Sequence, residues 1–145
     1  MKLHLPVQLF RAVIALMAVA MPFSASAEQK YRVSNGEQLT LSGLDELNLY
    51  ISGYYDIPSS GRAYGGAIYA QSTGSVTLEH YVNLGFSGNY ALGSDAYGGA
   101  IYSSSGAITL SGNKRVTFSG NYAKSDDYSA YSYGGAIYSK SGAIT

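Results

Sequence analysis

This sequence predicts an all-β fold, a parallel β-helix (solenoid) in which short strands stack coil upon coil, and three observations carry the prediction. The hexapeptide Tyr-Gly-Gly-Ala-Ile-Tyr occurs at residues 64–69, 97–102 and 133–138. Its glycine pairs begin at residues 65, 98 and 134, giving periods of 33 and then 36 residues, inside the window of solenoids and arrays. Between the hexapeptides, apolar and polar residues alternate at period two over short runs, the mark of strands with one buried face. Helical repeats would need a 3.6-residue period. An antiparallel sandwich could use such strands but has no need of one hexapeptide three times.

Residues 1–27 stand apart in composition. Lys2 and Arg11 precede an apolar run from Ala12 to Met21, followed by Pro22 and then Ala25-Ser26-Ala27. A basic start, a short apolar stretch and small residues at an A-x-A site make a secretory signal peptide. The run is too short for a transmembrane anchor, which needs roughly 20 apolar residues. Loss of Lys2 and Arg11 with the signal leaves seven cations against nine anions, a net charge near −2. That balance gives no electrostatic footprint for nucleic acid or anionic lipid. The chain has no cysteine, so thiolate metal sites and cysteine nucleophiles are excluded although export would permit disulfides. Stability must come from backbone pairing and stacking.

Residues 28–63 do not match the repeat. Leu39-Thr40-Leu41 and Leu47-Asn48-Leu49-Tyr50-Ile51 alternate as strands, and this stretch is read as an N-terminal cap and first coil. Terminal units of a solenoid are atypical because one end of the stack must be closed against edge pairing. Residues 56–61 read as the loop leading into the first full repeat.

The repeats occupy residues 64–96, 97–132 and, incompletely, 133–145. In the second, Ile108 and Leu110 share a parity, as do Val116 and Phe118; in the first, Val76 and Leu78 are followed by Val82, Leu84 and Phe86. With the Ala-Ile-Tyr segment after each glycine pair, this predicts three short strands per coil, with Gly, Ser and Asn at the corners. Equivalent residues then lie above one another, about 4.8 Å apart. Phe86 is expected on Phe118, Asn89 on Asn121 in a hydrogen-bonded ladder, and Tyr69, Tyr102 and Tyr138 in an aromatic column. The connector is Leu-Gly-Ser-Asp-Ala after Ala91 but a longer, Tyr- and Ser-rich segment after Ala123, so length varies at one corner. The third unit stops in mid-repeat at Thr145. An open last coil is expected to expose strand edges and to leave residues 28–145 marginal or oligomeric by themselves.

Gly-Gly-Ala-Ile alternating with Phe-x-x-Asn resembles the passenger domains of polymorphic outer membrane proteins, a family of bacterial autotransporter adhesins. The motif residues here are Gly65 and Gly66, Gly98 and Gly99, and Gly134 and Gly135, with Phe86 and Asn89, and Phe118 and Asn121. The resemblance spans residues 64–145. It implies export through the inner membrane, a right-handed β-helical passenger, a C-terminal outer-membrane barrel, and adhesion to a protein or glycan on host or neighbouring cells. The outer membrane is expected to be reached only through such a barrel, built of strands of roughly ten residues, which these residues do not include. A chain truly ending at Thr145 would instead be expected in the periplasm.

Candidates for chemistry are few, and no catalytic, cofactor-binding or metal-binding residue is expected. His80 is the only histidine beyond the signal; with no G-x-S-x-G and no second ligand it reads as an exposed turn residue. Asp45-Glu46 and Asp126-Asp127 are neighbouring pairs in loop-like segments, better suited to a solvated or Ca²⁺-touching corner than to a general acid and base held across a sugar. The Gly-Gly-x-Gly-x-Asp calcium nonapeptide is absent. The glycine pairs are not followed by a phosphate-loop pattern. Lys114-Arg115 decorates a turn. Tyrosines of the variable loops, Tyr128, Tyr131 and Tyr133, can either offer ring area to a glycan or protein at low entropic cost or stack inside the fold, and the sequence does not choose between the two. The function read from the sequence is an exported passenger with a structural and binding role. The alternatives are part of a secreted β-helical carbohydrate-active enzyme, or a product with no activity of its own.

Overall fold

The computed structural model describes residues 27–145, so all but the last residue of the expected signal peptide lies outside the described residues. Every element among the described residues is a strand. The first strand, β1 (Ala27–Glu28), is followed by three complete coils and the start of a fourth. Coil 1 comprises β2 (Tyr31–Val33), β3 (Gln38–Ser42), β4 (Asn48–Ser52), β5 (Tyr55–Asp56) and β6 (Ala63–Tyr64). Coil 2 repeats the set as β7 (Ile68–Ala70), β8 (Ser75–Glu79), β9 (Asn83–Ser87), β10 (Tyr90–Gly93) and β11 (Ala96–Tyr97). Coil 3 follows with β12 (Ile101–Ser103), β13 (Ile108–Thr109), β14 (Val116–Ser119), β15 (Tyr122–Ser125) and β16 (Ser132–Tyr133), and β17 (Ile137–Ser139) opens the next.

Each strand pairs in parallel with its counterpart one coil away, forming five ladders along the solenoid. The exception is β1, which runs antiparallel to β5. Register is strict where side chains are large. Ile101 lies between Ile68 and Ile137, and Phe86 between Ile51 and Phe118. A one-residue slip would turn these side chains outward, so the buried alternation itself fixes the stacking.

The interior is a column of stacked layers. Ile51, Ile68, Leu78, Leu84, Phe86, Ile101 and Ile108 are almost wholly buried, and Phe118, Leu41 and Ile137 pack onto them. A second, smaller cluster contains only Ala63, Ala91 and Ala96, with Ala123 beside it.

Two sequence expectations change. Each coil has five strands, not three, because the chain re-enters pairing after the Ser-Gly corner and again at Ala-Tyr, in segments of two to four residues too short for alternation to register. The first coil expected in residues 28–63 also proves to be in register with the repeats that it was read as not matching. Its Ile51-Ser52-Gly53-Tyr54-Tyr55 occupies the place of Phe86-Ser87-Gly88-Asn89-Tyr90, and Gly53 and Gly88 share a left-handed backbone, with φ of 72° and 61°. The shared Ser-Gly-x-Tyr is the signal that reveals it.

Candidate binding surface

The repeat motifs face inward. Gly65, Gly98 and Gly134 adopt φ of 55°, 61° and 61°, and a Cβ on each would collide with the carbonyl of the isoleucine three residues on: Ile68, Ile101 or Ile137. The second glycine serves the next contact. A Cβ on Gly66 would meet Gly99 in the following coil and the Tyr90 backbone across the coil. Both glycines thus answer to space inside the solenoid.

Phe-x-x-Asn is a clip between coils. Phe86 and Phe118 stack with centroids 5.1 Å apart and planes 7° from parallel, as the sequence predicts. Asn89 is fully buried; its Nδ2 donates to the Ile51 carbonyl (3.0 Å) in the coil before and to Asn121 Oδ1 (2.9 Å) in the coil after. Its Oδ1 accepts from the Tyr54 N–H at 3.1 Å. Asn121 repeats the arrangement one coil later, donating to the Phe86 carbonyl at 2.9 Å and accepting the Asn89 N–H at 3.1 Å. Sequence reasoning missed a third clip. Asn113 donates to the Leu78 carbonyl (2.9 Å) and accepts from the Tyr81 N–H (3.0 Å), at the corner between β13 and β14. Ser111-Gly112-Asn113 copies Ser119-Gly120-Asn121, so the motif was visible as a repeated Ser-Gly-Asn. Among the described residues no buried side-chain polar atom lacks a hydrogen bond.

The tyrosines form columns as well. Tyr69, Tyr102 and Tyr138 follow one another at 5.6 and 6.0 Å, and Tyr64, Tyr97 and Tyr133 at 5.3 and 5.4 Å beside them. The two columns interlock, with Tyr64 and Tyr102 only 4.8 Å apart. A third column runs through Tyr55, Tyr90 and Tyr122. Burial pushes the Tyr69 and Tyr102 phenols up from their ordinary value. Stacked in this way, most rings present edges and hydroxyls to their surroundings while neighbours cover their faces.

The remaining sequence candidates lie outside the core. His80 is an exposed corner residue with φ of 57°; its Nδ1 is 3.4 Å from Asp45 Oδ1, and its ring lies over Gly112, the residue it matches in the next coil. Lys114 reaches the Asp45 carbonyl at 3.5 Å, and Arg115 donates to Asn83 Oδ1 at 3.3 Å. Asp45, Glu46, Asp126 and Asp127 are all exposed. Among the described residues no three His, Cys, Asp or Glu side chains gather as a metal site would require.

Asp56 is a residue the sequence did not single out. It is buried at the place that Ala91 and Ala123 fill in later coils, and it accepts the Tyr64 N–H at 2.6 Å. Burial pushes its carboxyl up, opposed by the Tyr64 N–H and by Arg32, which also lies over the Tyr69 ring. Only its sequence position in a polar, loop-like stretch was available beforehand.

The variable corner lies between the third-column strands and the strands that follow them. It spans residues 57–62 in coil 1, only Ser94 and Asp95 in coil 2, and residues 126–131 in coil 3. Asp95 ties the three together: its carboxylate accepts from Arg62 Nε (2.9 Å) and from the Tyr131 N–H (3.0 Å). The Tyr131 N–H, more than Arg62, holds the Asp95 carboxyl below its ordinary value. Above it, Tyr128, Tyr131 and Tyr133 are exposed, and Tyr131 stacks on Tyr133 at 5.9 Å.

The family comparison matches the same rungs. Residues 86–104 and 115–140 match the Chlamydia polymorphic membrane protein repeat. Each match starts at or just before Phe-x-x-Asn and ends just past Gly-Gly-Ala-Ile, so the repeat recognised includes the clip, the variable corner and the glycine turn. No curated protein and no solved structure matches the chain.

Proposed function

We propose that this chain, two stretches of which match the Chlamydia polymorphic membrane protein repeat, acts as an exported adhesive surface at the outer membrane or cell surface. The observation that carries the reading is the division of labour around each coil. The repeated glycines, phenylalanines and asparagines are consumed by stacking one coil on the next. Differences in length and composition gather at one outward corner, where binding residues on a rigid scaffold are expected.

Such a scaffold needs no pocket to work. Parallel stacking places successive corners about 4.8 Å apart, so short segments from separate coils form one surface. The partner is a protein or glycan on a host or neighbouring cell. The test is retention of the purified chain on cultured host cells, matrix-coated surfaces and bacterial cells. Retention on any of them, saturable and competed by unlabelled chain, is expected; retention on none overturns the reading.

A further inference from the structure

Tyr128 differs from the other tyrosines of the variable corner. It is fully exposed, and among the described residues no ring packs against it, whereas Tyr131 and Tyr133 stack on each other and Tyr133 continues the column through Tyr97. Both of its faces are open.

Its backbone is nevertheless held. Asp127 Oδ1 accepts from the Ser129 N–H (3.0 Å) and hydroxyl (2.9 Å), so the residues flanking Tyr128 are joined across it. The Ser125 hydroxyl donates to the Ser94 carbonyl of coil 2 (2.7 Å) and accepts the Asp127 N–H (3.1 Å). Asp126 N–H donates to the Gly93 carbonyl at 3.0 Å, and the Ser125 N–H to the Ser132 hydroxyl at 2.7 Å. None of these bonds uses the Tyr128 side chain. The loop therefore fixes a ring that the fold does not need, and a ring on a fixed backbone loses little freedom when it binds.

The surroundings select the ligand. One free aromatic face beside carboxylate and hydroxyl groups matches a pyranose, which lays its C–H face on a ring and directs hydroxyls at polar neighbours. Exposed Asp126, Ser129 and Lys124 supply such groups within four residues. A protein partner would need about 800 Å² on each side around a desolvated centre, more than one short loop with one free ring provides. The Asp126 and Asp127 carboxylates outnumber the single cation beside them, Lys124, and so disfavour sialylated or sulfated sugars by like charge.

We propose that the loop of residues 126–131 binds the terminal sugar of a neutral glycan, with Tyr128 as the stacking ring and Asp126 and Ser129 as hydrogen-bonding groups. This deepens the adhesive reading and rests on it.

The test uses the whole chain on surfaces bearing lactose, mannose oligosaccharides or N-acetylglucosamine oligomers, with sialyllactose as the charged comparison. Binding to at least one neutral glycan is expected, reduced tenfold or more by Tyr128→Ala, retained by Tyr128→Phe, and unchanged by Tyr50→Ala on a different ladder. Unfolding midpoints of all variants should agree, which separates lost binding from lost fold. Failure of every neutral glycan to bind, stronger binding to sialyllactose, or full binding by Tyr128→Ala would overturn the proposal. Loss of cell retention in Tyr128→Ala that no soluble sugar reproduces would assign the loop to a protein partner and overturn it too. Cell retention without glycan binding leaves the adhesive reading standing alone, and glycan binding without cell retention removes adhesion but not this site.

Discussion

The corner after β9 and the corner after β10 are only a few residues apart in the chain, yet they obey opposite rules. At Gly88-Asn89 the side chain is buried, and donors and acceptors are matched to the coils before and after. At Ser94-Asp95 the chain turns in two residues where its neighbours take six, and one carboxylate reaches into both longer loops. The first corner tolerates little change because two other coils depend on it. The second can vary in length because its loop leaves the stack and its ties to neighbouring coils, such as those of the Asp95 carboxylate, are made outside the core. Repetition in the sequence therefore marks the scaffold, and its interruption marks the surface available for recognition.

The sharpest way to break this contrast is Asn89→Ala. It leaves the Tyr54 N–H without its acceptor and removes the side-chain donor from both the Ile51 carbonyl and Asn121 Oδ1 in the middle of the stack, where one unsatisfied group alone costs about 1–3 kcal/mol. A loss of roughly 2–5 kcal/mol in urea unfolding is expected. Tyr128→Ala should stay within about 0.5 kcal/mol of the parent, as exposed substitutions do. Equal losses in the two variants would remove the distinction between the corners.

Two glycines sharpen it next. Gly88 and Gly98 both have φ of 61°, but an added Cβ meets nothing within 4 Å at Gly88 and collides with the Ile101 carbonyl at Gly98. Gly88→Ala should cost only the left-handed backbone, about 1–2 kcal/mol. Gly98→Ala should cost clearly more, because its collision is with backbone inside the stack. Thermal unfolding of the pair checks whether space or conformation governs the Gly-Gly turn. Matching losses would mean that conformation alone decides.

These positions also explain what could be read in advance. Phe86 on Phe118 and Asn89 on Asn121 were legible because identical residues in successive coils must stack if coils stack at all. The first coil was expected, but its kinship with the repeats was hidden because Ile51 and Tyr54 replace Phe and Asn while backbone and register persist, so its likeness lives in Gly53 and the pairing of β4 with β9. Five strands per coil escaped notice because strands of two to four residues are too short to show a period. Asp56 escaped for a different reason: a carboxylate in a polar stretch looks solvated until the neighbouring coil closes over it. At the surface, exposed loop tyrosines were visible as composition, but which ring keeps its faces free depends on stacking that only the folded coils establish.

Asp56 makes a pH-dependent comparison between a buried corner and exposed ones. Its carboxyl is raised above 3.8 by burial, so the folded chain binds that proton more readily than the unfolded chain does. The stability linked to it is complete below the unfolded value and is lost as pH rises through the raised folded value. Asp95 and Asp127 are lowered by hydrogen bonds from the Tyr131 and Ser129 N–H groups, so their contribution is present above 3.8 and is lost as pH falls through their folded values. Wild type should therefore gain on Asp56→Asn in urea midpoint between about pH 7 and about pH 4. A difference constant across that range would show that Asp56 titrates as it does in the unfolded chain.

A small effect on stability should come from the largest visible change, deletion of residues 127–130. Gly93 pairs with Ser125 and Ala96 with Ser132, so the shortened loop leaves Asp126 and Tyr131 in the places of Ser94 and Asp95. The Tyr131 N–H can still reach Asp95, and the Tyr131 carbonyl can still accept the Ala96 N–H. What disappears is a set of hydrogen bonds internal to the loop, together with the entropy of closing it. A change in loop length of this size alters closure by only about 0.6 kcal/mol per doubling. Unfolding should therefore move by less than about 1 kcal/mol, while any binding that depends on Tyr128 is abolished. A large loss of stability would instead mean that the long loop braces the stack, and that its tyrosines are retained for folding and not for recognition.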